Sequence, residues 1–430
     1  VKEMELELGF INIRDVQFSD KTRIKDGILF IDRNELLNTL KDDRFVSIDA
    51  DIAKPGDSIR IIPVKDVIEP RIKVDGHGGV FPGFISKVGT VGGGVTHVLK
   101  NAAVVTTGKI AGFQEGIIDM SGIGALYSPF SQTFNVCLTA EPTPGLAQHE
   151  HEAALRIMGL KAAAYIAEAG RSEIPDTVVS YDCPPLPQAL KRYEGLPKVV
   201  YVYMLQSQGL LHDTYVYGID AKRMLPTFIY PTEVMDGAIV SGNCVSACDK
   251  NTTYHHQNSP VIYELLERHG KDFNFLGVVI TNENVTLSDK ERSSDYTAKL
   301  VEWMGADAAI ISEEGFGNPD ADLMMNCTKL EKKGIKTVLI TDEYAGRDGA
   351  SQSLADADPL ADAVVTAGNA NEVIVLPPME KIIGKREAAD IIAGGFSGSL
   401  SPDGSLTVEI QAITGSTNEL GFSRLAAKAI

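Results

Sequence analysis

Val278-Val279-Ile280-Thr281-Asn282-Glu283 reads as a buried strand running into a polar end, and the segments on either side repeat that pattern. Upstream, Ser259-Pro260 sets a capping residue before a proline at the first helical position. Downstream, Ser288 and Glu291 make a capping-box pattern, with Tyr296, Leu300 and Trp303 following on one helical face. Ala308 to Ile311 is a second apolar run, ending at Ser312-Glu313-Glu314. Asn318-Pro319-Asp320 opens another helix, which closes on Lys332-Lys333-Gly334, where basic charge suits the helix dipole. Thr337 to Ile340 leads to Thr341-Asp342-Glu343, and further strands are expected at Val364-Val365 and Val373 to Leu376. Helices alternating with strands that are apolar throughout imply a parallel sheet covered on both faces. Ligands bind beyond the carboxyl ends of such strands, so the acidic ends allow a pocket; the expectation is helix caps and solvated loops.

Further out, the pattern changes. Residues 1 to about 100 are short apolar stretches broken by Gly, Pro and Asp, such as Ser58-Ile59-Arg60-Ile61-Ile62 after Pro55-Gly56-Asp57, the signature of paired strands and turns. Gly92-Gly93-Gly94 has no Lys-Ser/Thr after it and no dinucleotide spacing, so it reads as a turn. In the middle, Leu155, Met158, Ala162 and Tyr165 recur at helical spacing before Gly170. Strand-like runs follow at Val199 to Tyr203 and Thr227 to Tyr230, and Ala238-Ile239-Val240 leads into Ser241-Gly242-Asn243-Cys244. The expected fold class is α/β: a β-rich N-terminal region over 1–114, a mixed α/β region over 115–243, and a Rossmann-like parallel sheet domain over 244–430. The Gly-, Ser- and Thr-rich tail from Gly394 to Ser416 is expected to be irregular.

The chain has 430 residues, with 40 Lys plus Arg against 58 Asp plus Glu, a formal net charge of -18. Nucleic-acid backbone binding needs a dense basic surface, so nucleic acid is not an expected partner. No apolar run reaches membrane-spanning length. The opening Val1-Lys2-Glu3-Met4-Glu5 lacks an apolar signal core and the five cysteines are scattered, so the expected location is the cytoplasm.

The segment with the most chemistry is Gly242-Asn243-Cys244-Val245-Ser246-Ala247-Cys248-Asp249-Lys250. A cysteine can attack the carbonyl before it to form a thioester. β-Elimination then cuts the chain and leaves dehydroalanine, which tautomerises and hydrolyses to a pyruvoyl group. Such a group captures amines as Schiff bases and acts as an electron sink, comparable to pyridoxal phosphate. Asn326-Cys327 is also Asn-Cys, but Leu323, Cys327 and Leu330 share one face of an expected helix, so Cys327 reads as core. Cys244, Cys248, His255 and His256 cluster within a short stretch, yet C-x3-C and adjacent histidines are poor zinc spacing, and no metal is expected. His149 and His151 read as polar helix-entry residues, and Cys137 and Cys183 as structural. Asp249, Lys250, Tyr254, His255 and His256 supply acid, base and cationic groups beside Cys244, with His255 or His256 the preferred acid-base group.

From Pro231-Thr232-Glu233 through Gly242-Asn243-Cys244 to Tyr254-His255-His256-Gln257-Asn258, the chain resembles the α/β-subunit proprotein of component B of the glycine, sarcosine and betaine reductases. The likeness spans the chain, taking in Leu6-Glu7-Leu8-Gly9, Asp15-Val16-Gln17-Phe18 and Gly112-Phe113-Gln114-Glu115-Gly116. The resemblance implies cleavage between Asn243 and Cys244, with Cys244 becoming the pyruvoyl cofactor at the head of the 244–430 chain. It implies a γ subunit that completes component B, and a substrate amine held as a Schiff base. A selenol of selenoprotein component A would take the carboxymethyl group, component C would form acetyl phosphate, and thioredoxin would re-reduce component A. Glycine is the first-choice substrate, with sarcosine and betaine close behind; betaine has no N–H and cannot form a simple Schiff base. The sequence carries no flavin, nicotinamide or iron-sulfur fingerprint, so reducing power is expected from a partner. Two alternatives stand beside this: another pyruvoyl enzyme, such as a proline reductase proprotein or an amino-acid decarboxylase, and an uncleaved non-catalytic scaffold.

Overall fold

The computed structural model describes residues 4–208, 211, 214–242 and 251–420. The fold is mixed α/β with several sheets. The largest has six strands in the order Thr227–Ile229, Asn274–Asn282, Lys198–Leu205, Ala308–Ser312, Lys336–Glu343, Val364–Asn369. All are parallel except Thr227–Ile229, which runs antiparallel at one edge. The Asn274–Asn282 strand is buried along its whole length, which is why its sequence is continuously apolar rather than alternating. Gly277 sits where the register with Lys198–Leu205 shifts by one residue, at φ +127°; a Cβ there would come within 2.5 Å of Phe228. The helices Leu287–Trp303 and Asn318–Glu331 cover the sheet through Ala298, Val301, Leu323, Cys327 and Leu330.

The sheet's middle strand, Lys198–Leu205, precedes Asn243 in the chain, and its neighbours on both sides follow it. The reverse exchange occurs in the N-terminal half. There one four-stranded sheet runs Thr177–Cys183, Met4–Asn12, Gly94–Lys100, Arg71–Asp75, and another runs Phe45–Ala53, Phe134–Pro142, Ala102–Gly108, Asp66–Ile68. A three-stranded sheet places Ile59–Val64 between Gly116–Asp119 and Lys381–Gly384, a strand from the far end of the chain. Next to it Arg60 and Asp119, both fully buried, form a two-pronged ion pair at 2.6 and 2.8 Å, and Arg60 also donates to the Pro377 carbonyl at 2.8 Å. The helix Gln148–Ala167 packs Leu155, Met158 and Ala162 inward, as their spacing requires. Gly92 takes φ +92° in the glycine turn, and a Cβ there would strike the Glu233 backbone.

Three local expectations change. The Leu287–Trp303 helix is capped by Thr286, whose side chain accepts from Asp289 N, so Ser288 and Glu291 are not its capping box. Thr286 wins because its side chain fits the extended cap position two residues earlier. The face carrying Tyr296 and Trp303 looks outward, Trp303 being 74% exposed; Ser293, Thr297 and Val301 face the sheet. The tail is not wholly irregular: Leu406–Glu409 pairs antiparallel with Val373–Leu376, outside the parallel sheet.

Removing one partner of a buried ion pair strands the other charge, at a cost of roughly 3–5 kcal/mol. Arg60→Leu should therefore lower the urea unfolding midpoint sharply, while the exposed Arg292→Leu should leave it nearly unchanged.

Candidate functional site

The 243–250 segment, with Asn243, Cys244, Cys248, Asp249 and Lys250, lies outside the described residues. Its two stems are described and are buried. One is the Ile239–Val240 strand continuing into Ser241 and Gly242; the other is Asn251 and Thr252, entering the helix Thr253–Gln257. The stems are bonded to each other, Ser241 N donating to Thr253 Oγ1 at 3.0 Å. Thr253 is held from below by Asp66, whose Oδ1 accepts from Thr253 N at 2.8 Å and whose Oδ2 accepts from Thr253 Oγ1 at 2.7 Å. Burial pushes the Asp66 carboxyl up to about 7, against the lowering effect of its hydrogen bonds from Thr253 and Val67. From the other side Glu314 accepts Asn251 N on Oε1 at 3.2 Å, and Gln206 N and Thr214 Oγ1 on Oε2 at 2.9 and 2.8 Å. Asn251 also donates to Glu419 at 3.0 Å and accepts from Asn418 at 2.6 Å.

His255 and His256 lie in that short helix, fully buried rather than in a solvated loop. Thr252 N donates to His255 Nδ1 at 3.0 Å, so that nitrogen is an acceptor. Burial, with His256 beside it, holds the His255 pKa well below the usual imidazole range. The neutral ring therefore keeps its proton on Nε2. His256 Nδ1 shares a hydrogen bond of 2.7 Å with Tyr203 OH, and its Nε2 stands 3.6 Å from Glu314 Oε1. Tyr203 stacks on Tyr201, whose hydroxyl meets Ser312 Oγ at 2.5 Å. Tyr254 packs edge-on to Phe130. Arg71 fastens the far end of the helix, donating to the Gln257 carbonyl at 3.1 Å and to Asn258 Oδ1 at 3.0 Å while paired with Glu69.

The other candidates separate. His149 is exposed; His151 is buried edge-on to Phe45, and burial drops its pKa to about 4. Cys327 is core, its sulfur 3.3 Å from Thr337 Oγ1. Cys137 and Cys183 are buried free thiols. No group of three or more metal-binding side chains occurs among the described residues.

The strand ends depart from the expectation of caps and solvated loops. Glu283, Glu313, Glu314 and Asp342 are all buried. Glu313 accepts from Thr341 Oγ1 at 2.9 Å, and burial, with Asp320 and Glu283 nearby, pushes its pKa well above the usual carboxylate range. Beyond these ends opens a cavity of about 740 Å³, walled by Gln206, Phe316 and Tyr344 from the parallel-sheet side and by Arg347, Glu409 and Gln411 toward the tail. Gln206 joins the cavity to the stems, since the glutamate that accepts its N–H also accepts that of Asn251. Sequence reading passed over Asp66, Tyr203 and Arg347. An acid inside the apolar run Ile61 to Ile68 was the one local signal for Asp66.

Fold and site together define an α/β protein with a cavity at the carboxyl ends of its parallel strands. The family described as glycine/sarcosine/betaine reductase component B subunits matches residues 4–428, and the chain belongs to this family of oxidoreductase components. It is 65% identical over 428 residues to the glycine reductase complex component B subunits alpha and beta of Acetoanaerobium sticklandii, covering 99% of this chain and all of the relative. It is 56% identical to the sarcosine reductase complex component B subunit alpha of Peptoclostridium acidaminophilum, covering 99% of this chain and all of that one. A D-proline reductase proprotein of Acetoanaerobium sticklandii is 23% identical over 77% of this chain and 54% of its own length. No solved structure matches.

A carboxyl raised in the folded state holds its proton where the unfolded chain has lost it. The stability this gives is full below about pH 3.8 and is lost as pH rises to about 7. The stability of the native chain relative to Asp66→Asn should therefore fall across that window and level off above it, as measured by urea unfolding at a series of pH values.

Proposed function

We propose that this chain is the substrate-binding and activating component B of an amino-acid reductase, made as a proprotein and cut between Asn243 and Cys244. The observation that carries the reading is the two-sided grip on the 243–250 segment. Asp66 and Glu314 fix its stems inside the protein, in a chain matched to the component B family from end to end. Glycine is the substrate favoured by the 65% identity to a glycine reductase component, with sarcosine and betaine the other members of the class.

Cys244 Sγ attacks the Asn243 carbonyl carbon, the C–N bond breaks, and a thioester forms with a free amine on residue 244. Loss of the Cα proton and cleavage of the Cβ–S bond release Asn243 as a thiocarboxylate, which water converts to the carboxylate with loss of hydrogen sulfide. The dehydroalanine tautomerises, and water replaces its nitrogen, releasing ammonia. The stems fit such a group. Ser241 Oγ and His256 Nε2 are buried and make no hydrogen bond among the described residues, and His255 offers a proton on Nε2. The pyruvoyl group supplies an electrophile for the substrate amine. His255 and His256 exchange protons with the reacting groups, His256 passing charge toward Tyr203 and Glu314.

The cut leaves chains 1–243 and 244–430, the first comprising the β-rich 1–114 region and the mixed 115–243 region, the second the Rossmann-like part. Because the Lys198–Leu205 strand lies inside the parallel sheet, the two chains stay together. A γ subunit, the selenol of component A, component C and the thioredoxin system complete the reduction to acetyl phosphate. The free thiols Cys137, Cys183 and Cys327 suit a reducing cytoplasm.

On a denaturing gel the mature protein should give two chains that separate only after unfolding, and borohydride with labelled glycine should fix label on the 244–430 chain. Cys244→Ala should stay whole and Cys327→Ala should be cut. A Cys244→Ala protein still split at this bond would sink the cleavage chemistry, and a wild-type chain that stays whole would favour the scaffold reading. Acetyl phosphate should form only when γ subunit and components A and C are added. His255→Gln or His256→Gln should slow turnover at least tenfold; normal cutting and turnover in both would remove their acid-base role.

A further inference from the structure

The cavity beyond the strand ends holds one cation among its described lining residues, Arg347. Its guanidinium is aimed. Nε donates to Glu409 Oε1 at 2.7 Å, and the group lies over the Phe396 ring, 4.4 Å from the centroid. Glu409 is itself held, its Oε2 accepting from Asn371 Nδ2 at 3.1 Å and from Gln411 Nε2 at 2.5 Å. One edge of the guanidinium is thus committed to Glu409. The two Nη groups make no hydrogen bond with described residues, and the side chain is about half exposed, at 51%. A planar fork with one edge fixed and the other open matches a carboxylate taken through two parallel N–H bonds. Glu409 offsets part of the guanidinium charge, so the open Nη edge recognises a carboxylate chiefly through its hydrogen-bond geometry.

We propose that Arg347 is the anchor for the carboxylate of the amino-acid substrate, an assignment that rests on the component B reading. Glycine, sarcosine and betaine differ at nitrogen and share the carboxylate, so one anchor serves all three. The stacked pair Phe316 and Tyr344 walls the same cavity and offers an aromatic surface to an ammonium group, including a methylated one. Gln206 leads from this cavity to the stems of the 243–250 segment through Glu314.

The test compares wild type, Arg347→Gln, Arg347→Lys and the distant Arg292→Gln. Each mature protein is titrated with glycine, sarcosine, betaine and methylamine, the last lacking a carboxylate, by calorimetry. Chain cutting is read in parallel on a denaturing gel and folding by circular dichroism. Hydrogen bonds to a charged group are worth about 1.5–3 kcal/mol, or roughly 10- to 150-fold in affinity. Arg347→Gln should lose at least tenfold in affinity for whichever amino acids the wild type binds, with cutting and methylamine binding unchanged. Arg347→Lys should fall between, and Arg292→Gln should match wild type. In the reconstituted system, KM for the substrate should rise by a similar factor while kcat changes little. Wild-type affinity in a folded, normally cut Arg347→Gln protein overturns the assignment alone. A wild-type chain that binds none of the three amino acids overturns the component B reading and the assignment with it.

Discussion

The carboxyl of Asp66 is the point on which the rest of the site depends. It sits fully buried on a short strand of the N-terminal half and spends both oxygens on one threonine far along the chain. That threonine starts the helix carrying His255 and His256 and accepts the backbone N–H of Ser241. Leaving a buried polar group without a partner costs on the order of 1–3 kcal/mol, so the contacts favour closing together. The result is a junction whose parts come from the N-terminal strand, the central segment and the acidic ends of the parallel sheet. Each part would be poorly placed without the others.

The parallel sheet was largely legible in the sequence because strands buried on both faces must be apolar at every position, as in Asn274–Asn282. The helix Asn318–Glu331 was legible through Pro319 and Asp320 at its start and Gly334 after its end. Cap choice at Thr286 over Ser288 was not, since both residues can serve and backbone conformation decides. The Leu406–Glu409 strand was hidden in a Gly- and Ser-rich tail because its stability comes from Val373–Leu376, not from its own composition. The site was legible where local chemistry was unusual, at the two histidines, and illegible where it arises from pairing. Nothing near Asp66 announces Thr253, and nothing near Glu314 announces Asn251.

The acidic composition acquires a specific meaning in the structure. Four carboxyl groups at the strand ends are withdrawn from water, where charged forms are costly. They are tolerated because backbone N–H groups and hydroxyls satisfy some, as with Glu314, and because burial raises the Glu313 pKa and so favours its neutral form. Acidic residues at the surface and acidic residues at the strand ends thus do different work: the former solvate the chain, and the latter shape a neutral-to-polar interior beside the cavity.

The partnership of Ile59–Val64 with Lys381–Gly384 bears on how the protein is born. During translation the earlier strand leaves the ribosome with one edge satisfied by Gly116–Asp119 and the other open until the last part of the chain emerges. At roughly 5–20 residues per second that wait is about 15 to 60 seconds. Throughout it an apolar strand presents unpaired backbone to every other nascent chain, the condition under which edges pair wrongly. The fold therefore leaves this strand with an open edge until Lys381–Gly384 has emerged.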